Sequence, residues 1–280
     1  MVSLSILVGA SGGFPVAAAA SPPSRPVAIG SAGAVAVAAT APVRKAATDP
    51  VRILVIGDSR SSSGLWQPEL CRLMAAGGIT CDIRNEAVGQ TGCVYWPDRI
   101  RALLAKHAPD VVAFFCGTND DTSTAAARDR LGWAFRYTVE SIRTYRPANP
   151  IKIVPALVQY SDPLIAPQWL LDGEPRANDV LWTNMRYYLP AGWFPGIADF
   201  QKIPATADYL DDGGIHPTLA GGQPQVFVSA QTNKGYRTMG RIVYDSVYAG
   251  MGWPAPTEPP LCGMYGHRKG SPRPPYTPCP

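Results

Sequence analysis

Four short segments of the sequence contain side chains that could together carry out acyl transfer. One contains Ser59, the second is the glycine-bearing loop 85–92, the third contains Asn119, and the last contains His216 followed by a proline. A serine hydroxyl is a weak nucleophile near neutral pH, and a neighbouring histidine can accept its proton. Each segment alone could be an ordinary turn. Together they indicate nucleophilic catalysis by Ser59 with His216 as general base.

The first three segments directly follow apolar runs that are typical of buried strands, at residues 51–56, 79–84 and 111–116. Parallel strands bind ligands beyond their carboxyl ends, so these segments are expected to meet at one edge of a sheet. Apolar residues at helical spacing predict helices at 64–77, 100–107 and 123–145, the last with Ser123 as its N-cap. A strand at 151–158, a helix at 179–189, a strand at 197–202 and a final helix within 218–248 complete the pattern.

This alternation of strands and helices predicts an α/β domain with a central parallel sheet and helices on both faces. The domain is expected to span residues 51–252. The four polar segments resemble the four blocks of the SGNH hydrolases, also called the GDSL esterase family. In that family the blocks carry Ser, Gly, Asn and His, which match Ser59, the 85–92 loop, Asn119 and His216. The resemblance implies a flavodoxin-like, three-layer α/β/α sandwich.

The resemblance also implies roles for individual residues. Ser59 would attack an ester carbonyl, and the backbone N–H groups of Ser59 and Gly89 with the side-chain amide of Asn119 would form the oxyanion hole. Such donors stabilise the negative oxygen of the tetrahedral intermediate. His216 would take the proton of Ser59, and a carboxylate would orient its ring. No cofactor and no metal ion are implied.

Two departures from the family pattern leave alternatives open. The family spacing between acid and histidine would place the acid at Gly213, which has no carboxylate. We favour Asp212, the carboxylate nearest to that position, with Asp211 or a Ser–His dyad as alternatives. The family glycine of the second block falls on Gln90. Gly89 and Gly92 flank that position, and we favour Gly89.

Composition narrows the class of protein. Hydrophobic residues make up 46% of the 280 residues, which suffices for a full core, and charged residues make up 16% with a net charge of +4. The sequence contains no arginine- or lysine-rich run, so a nucleic-acid partner is not expected. No apolar stretch reaches the roughly 18 residues that span a bilayer. The mature chain is therefore expected to lack an integral membrane segment.

The ends of the chain differ from its middle. Residues 1–20 resemble a signal peptide, residues 21–50 an Ala- and Pro-rich linker, and residues 253–280 a Pro-rich tail. Six cysteines fit three disulfides in an oxidising compartment, which we pair as Cys71–Cys81, Cys93–Cys116 and Cys262–Cys279. The protein is therefore expected to be secreted or associated with the cell envelope.

The predicted function is a serine esterase that hydrolyses O-acyl esters, either carbohydrate-linked acetyl groups or short-chain lipid esters. The partner is then a small-molecule or glycan ester. Two alternatives remain: an O-acyltransferase to envelope glycans with the same site, and a non-catalytic glycan- or envelope-binding domain. Several nearby residues are expected to be structural, with Arg60 in solvent, the aromatic residues Trp66, Tyr95 and Trp96 in the core, and His107 at a helix end.

Overall fold

A computed structural model of the chain describes residues 49–161, 163–164, 166–203 and 234–257. The strands in these ranges are β1 (Val51–Gly57), β2 (Cys81–Asn85), β3 (Val111–Phe115), β4 (Lys152–Leu157) and β5 (Ala198–Asp199). The helices are α1 (Ser59–Ser62), α2 (Gln67–Ala76), α3 (Ile100–His107), α4 (Ala125–Tyr145), α5 (Gln168–Tyr188) and α6 (Lys234–Met251). Three short 3₁₀ turns lie at Cys93–Tyr95, Leu189–Ala191 and Phe200–Lys202.

Within the described part of the chain the strands form a parallel sheet in the order β2-β1-β3-β4-β5. β1 lies between β2 and β3, with Val55 opposite Asn85 on one side and Ala113 on the other. Because all pairs are parallel, the segments that follow β1, β2, β3 and β4 leave the sheet at the same edge. That edge is where the sequence places Ser59, the 85–92 loop and Asn119.

Successive residues of β1 pack on opposite faces of the sheet, as the pleat requires. Leu54 and Ile56 contact a core that includes residues of α3, α4 and α5. Ile53 and Val55 contact a second core built with residues of α2 and α6. The predicted three-layer α/β/α sandwich with a parallel sheet is therefore confirmed.

Helix α5 is the largest difference from the predicted elements. It runs for 21 residues from Gln168, whereas the sequence pattern predicts a helix only at 179–189. Gly173 and Pro175 lie in its first half, and both residue types disfavour a helix interior. Burial of apolar residues such as Leu170 and Ala177 against the core outweighs that local cost.

Other boundaries shift less. Helix α4 begins after Thr124, whose hydroxyl accepts a bond from the N–H of Ala127 at 3.1 Å, so Thr124 is the N-cap and the prediction of Ser123 is wrong. The predicted strand 197–202 contains only β5 and a 3₁₀ turn, and the helix predicted at 64–77 begins at Gln67.

Several predicted segments lie wholly or mostly outside the described residues: the signal peptide 1–20, the linker 21–50, most of the tail and the first part of the last predicted helix. Among the helices that are described, none combines the length and the apolar character needed to cross a bilayer.

Candidate active site

The turn after β1 carries Ser59 at the carboxyl edge of the sheet. Asp58 caps helix α1, because its Oδ1 accepts a bond from the N–H of Arg60 at 3.0 Å. The N–H of Asp58 in turn donates to the carbonyl of Phe115 at the end of β3, at 3.2 Å. Gly57 permits this approach, since a Cβ there would overlap the Phe115 carbonyl oxygen. The turn is thus held against β3, with Ser59 partly exposed.

The loop after β2 is hydrogen-bonded to the same turn. The side-chain amide of Asn85 donates to the carbonyl of Ser61 at 2.9 Å. The N–H of Val88 donates to the carbonyl of Gly57 at 3.0 Å. These bonds bring the second predicted segment beside the first.

The two candidate glycines of this loop lie in different places. A Cβ built on Gly89 would lie 3.9 Å from the Cβ of Ser59, so Gly89 lies beside the predicted nucleophile. A Cβ on Gly92 would lie 2.5 Å from a carboxylate oxygen of Asp120, so Gly92 gives room to that side chain instead. Between them Gln90 adopts a left-handed backbone with φ of 63°. Gly89 is therefore the one of the two that lies beside the serine turn.

Asn119 belongs to the same network through Thr91. Its side-chain amide nitrogen donates to the carbonyl of Thr91 at 3.1 Å. The hydroxyl of Thr91 lies 2.8 Å from the carbonyl of Val88 and 3.3 Å from that of Gly57. Because an amide nitrogen carries two hydrogens, the bond to Thr91 uses only one of them. The segments after β1, β2 and β3 therefore form one hydrogen-bonded group.

Asp120 is a titratable group at this edge to which the sequence analysis assigns no role. Its Oδ2 accepts a bond from the N–H of Cys93 at 2.7 Å, and no described residue binds its Oδ1. Burial raises the pKa of Asp120 to about 6; the N–H groups of Cys93 and Val94 oppose that shift, and the negative charge of Asp58 adds to it. A carboxyl group that titrates near pH 6 thus lies next to Asn119.

One disulfide lies at each end of the strands. Cys93–Cys116 joins the 3₁₀ turn after β2 to the residue that follows β3, and Cys71–Cys81 joins α2 to the first residue of β2. Both predicted pairings are confirmed. The third, Cys262–Cys279, lies outside the described residues.

Arg60 contradicts the expectation that it points into solvent. Its side chain is buried and its Nη2 lies 2.7 Å from Oε1 of Glu174 on α5. On the next turn of α5, Asn178 binds both the N–H and the carbonyl of Val158, at 2.6 and 2.9 Å. Glu174 and Asn178 are not among the predicted site residues, because the helix predicted from the sequence begins only at residue 179. Their spacing of four residues on an otherwise apolar face was the available signal.

The aromatic residues near the site are mainly structural. Trp66 and Trp96 are buried in the two cores, as expected. Tyr95 is partly buried, and the guanidinium of Arg99 lies 3.8 Å from its ring centroid.

His107, at the end of α3, lies 2.6 Å from a carboxylate oxygen of Glu86. The hydrogen bond from Lys106 and then that from His107 lower the pKa of Glu86. This contact agrees with the structural role expected for His107.

The remaining predicted catalytic residues, His216, Asp212 and the alternative Asp211, lie outside the described residues. Their roles remain predictions. In the ranges that are described, no group of three or more His, Cys, Asp or Glu side chains could hold a metal ion.

No protein-family model and no curated protein sequence matches the chain. Solved structures do match its fold. The family 3 carbohydrate esterase from Clostridium thermocellum is 18% identical with a TM-score of 0.53, and the match covers 71% of this chain and 95% of that one. The lipase/acylhydrolase from Enterococcus faecalis is 17% identical with a TM-score of 0.50, covering 74% and 98%.

The psychrotrophic esterase EstA from Pseudoalteromonas sp. is 14% identical with a TM-score of 0.50, covering 72% of this chain and 99% of that one. Each comparison covers nearly all of the solved chain. The protein therefore has the α/β/α fold of the SGNH hydrolases, as the sequence resemblance implies.

Proposed function

We propose that the protein is a serine esterase that hydrolyses O-acyl esters through an acyl-enzyme intermediate. The observation that carries the proposal is the convergence of Ser59, Gly89 and Asn119. Gly89 lies beside Ser59, and Asn119 is hydrogen-bonded to the loop that contains Gly89. These are the residue types that a nucleophile and an oxyanion hole require. Structural neighbours that are esterases and acylhydrolases support the same reaction class.

In the proposed reaction the hydroxyl oxygen of Ser59 attacks the ester carbonyl carbon, and its proton passes to His216. The carbonyl oxygen becomes negative and accepts hydrogen bonds from the N–H groups of Ser59 and Gly89 and from the Asn119 amide. His216 then protonates the departing alcohol oxygen, which leaves Ser59 acylated. Water repeats the sequence on the acyl-enzyme and releases the carboxylic acid.

The carboxylate that orients His216 is proposed to be Asp212. Hydrogen bonding to the far ring nitrogen would fix the tautomer and stabilise the imidazolium. Asp211 and a Ser–His dyad remain the alternatives, because the spacing before His216 departs from the family pattern.

The proposed substrates are carbohydrate-linked acetyl groups or short-chain lipid esters. The name of the Clostridium thermocellum neighbour supports the carbohydrate ester. We further propose that the protein acts outside the cytoplasm, because disulfides such as Cys71–Cys81 and Cys93–Cys116 persist in oxidising compartments.

The test combines a fluorophosphonate probe with p-nitrophenyl esters of acetyl, butyryl and octanoyl chains, using the full chain. We expect the probe to label Ser59 and the acetyl or butyryl ester to turn over fastest. Ser59→Ala should abolish labelling and lower kcat by roughly 10⁴-fold or more. Ser63→Ala is the matched control, since this neighbouring serine lies just after α1 and should leave both unchanged.

Two results would change the conclusion. A folded wild-type chain that neither reacts with the probe nor hydrolyses any ester would overturn the enzymatic proposal and favour a binding domain. Transfer of the acyl group to an added sugar, faster than to water, would replace hydrolysis by acyl transfer at the same Ser59 site.

A further inference from the structure

The edge of the sheet that carries Ser59 contains a buried charge that the proposed mechanism does not use. Arg60 directly follows Ser59, and only 3% of the surface of Arg60 is exposed. Burying a guanidinium costs free energy unless charged or polar partners replace the lost water. The partners of Arg60 therefore indicate what it does.

Arg60 connects the serine turn to two other parts of the chain. Its Nη1 donates to the carbonyl of Gln159, just beyond β4, at 2.7 Å. Its Nη2 donates to Oε1 of Glu174 on α5 at 2.7 Å and lies 3.3 Å from the hydroxyl of Ser161. Glu174 also accepts from the N–H and the hydroxyl of Ser161, at 2.8 and 2.7 Å. One ion pair thus joins the serine turn, the end of β4 and α5.

The main contribution of such a pair is expected to be geometry. Replacing a buried ion pair by apolar side chains of similar volume is often neutral or stabilising. The planar guanidinium, however, holds its partners in a fixed arrangement that no apolar side chain reproduces. The Arg60 N–H also donates to Asp58, so both its backbone and its side chain hold the turn.

We propose that the Arg60–Glu174 pair is a positioning device for Ser59. It fixes the serine turn against β4 and α5, so that the hydroxyl and the N–H of Ser59 keep their orientation toward the reacting carbonyl. Arg60 is proposed to act through Ser59, since its side-chain bonds to Gln159, Ser161 and Glu174 tie the turn that carries Ser59 to β4 and α5. This role rests on the proposed esterase function.

The experiment compares variants of the full chain. Arg60→Met removes the charge, Arg60→Lys keeps the charge without the planar fork, and the double variant Arg60→Met with Glu174→Leu replaces the pair by apolar side chains. Arg52→Met is the matched control. Arg52 forms an ion pair with Asp110 at the amino end of β1, the end away from Arg60 and Ser59. We measure four quantities for the wild type and each variant: kcat and KM on p-nitrophenyl acetate, the rate of fluorophosphonate labelling, and Tm.

We expect Arg60→Met to lower kcat and the labelling rate by about 10- to 100-fold, because a small misplacement of a reacting group has effects of this size. KM should change by no more than about twofold, since Arg60 is not expected to touch substrate. Arg60→Lys should recover part of kcat. The double variant should regain Tm but not kcat, and Arg52→Met should keep the wild-type kcat.

Different results overturn different claims. If the double variant regains both Tm and kcat, the pair is structural and the positioning role is wrong. The role is also wrong if Arg52→Met lowers kcat as much as Arg60→Met does. If the folded wild type neither labels nor hydrolyses the ester, the proposed function fails and the positioning role fails with it.

Discussion

An arginine that pairs with a carboxylate lies near each end of β1, Arg52 within the strand and Arg60 in the turn that follows it, and the two pairs differ in burial. At the amino end, Arg52 binds Asp110 through its Nε at 3.3 Å and its Nη2 at 3.0 Å, and the two side chains are 39% and 24% exposed. At the carboxyl end, the side chains of Arg60 and Glu174 are 4% and 1% exposed.

This difference separates two uses of the same chemistry. The Arg52–Asp110 pair is partly exposed, and ion pairs in contact with solvent are screened by salt and typically contribute about 0–1 kcal/mol. Both pairs bind main-chain groups, since Asp110 also accepts from the N–H of Arg52 at 3.0 Å. The Arg60–Glu174 pair differs in being shielded from water while it joins the serine turn, the end of β4 and α5, whatever its net contribution to stability. At the carboxyl edge of the sheet, where Ser59 lies, the Arg60–Glu174 pair therefore supplies buried polar contacts that set geometry.

The largest expected difference between the two edges concerns asparagine side chains. Asn119→Ala at the carboxyl edge should lower kcat about 10²–10³-fold, because it removes one of the proposed oxyanion donors. Asn149→Ala, at an exposed position just before β4, should leave kcat unchanged. Steady-state kinetics on p-nitrophenyl acetate provide the measurement. Full turnover by Asn119→Ala would show that its amide is not an oxyanion donor.

The two disulfides allow the same comparison. Cys93–Cys116 lies at the carboxyl edge and Cys71–Cys81 begins at the amino end of β2, with sequence separations of 23 and 10 residues. Replacing either pair by alanines should lower the free energy of unfolding by roughly 3 kcal/mol, from the chain entropy of the unfolded state.

Only the loss of Cys93–Cys116 should also lower kcat, by about 10-fold, since this bond joins the loop that follows Gly89 to the end of β3, which precedes Asn119. Denaturant unfolding gives the stabilities, and kinetics on the same samples give kcat. Equal losses of kcat in the two double variants would contradict the distinction between the edges.

The order of the strands and helices was predictable because apolar periodicity reflects burial directly. Leu54 and Ile56 alternate with Ile53 and Val55 in β1, and a strand covered on both faces needs all four to be apolar. The first half of α5 was not predictable from local preference. Pro175 disfavours a helix interior, and only packing against the rest of the core favours it.

The sequence predicted which segments meet at the site, but it did not predict the side-chain contacts that hold those segments in place. Gly89 and Asn119 follow strands, and a parallel sheet brings such positions to one edge. The burial of Arg60 depends on Glu174, which lies 114 residues further along the chain. No local pattern around either residue indicates that pairing, so it appears only once the fold is known.

Asp120 gives a test of the carboxyl edge by pH. Its pKa in the folded protein is about 6, above the ordinary value of about 4 for the unfolded chain, because burial disfavours its charged form. The folded state therefore binds more protons between these values, and the stability that this group contributes is complete below pH 4 and is lost as the pH rises through 6. Asp120→Asn should remove this dependence.

We therefore expect the free energy of unfolding of Asp120→Asn, relative to wild type, to rise between pH 4 and 7 by up to about 3 kcal/mol, at about 1.4 kcal/mol for each pKa unit. Asp110→Asn, at the amino edge, should cost no more than about 1 kcal/mol at pH 7, and less in high salt, because it loses a partly exposed ion pair and keeps an oxygen that can accept from the N–H of Arg52. Urea unfolding across this pH range measures both. A pH-independent difference between Asp120→Asn and wild type would show that Asp120 is solvated rather than buried, and that the two edges do not differ in this respect.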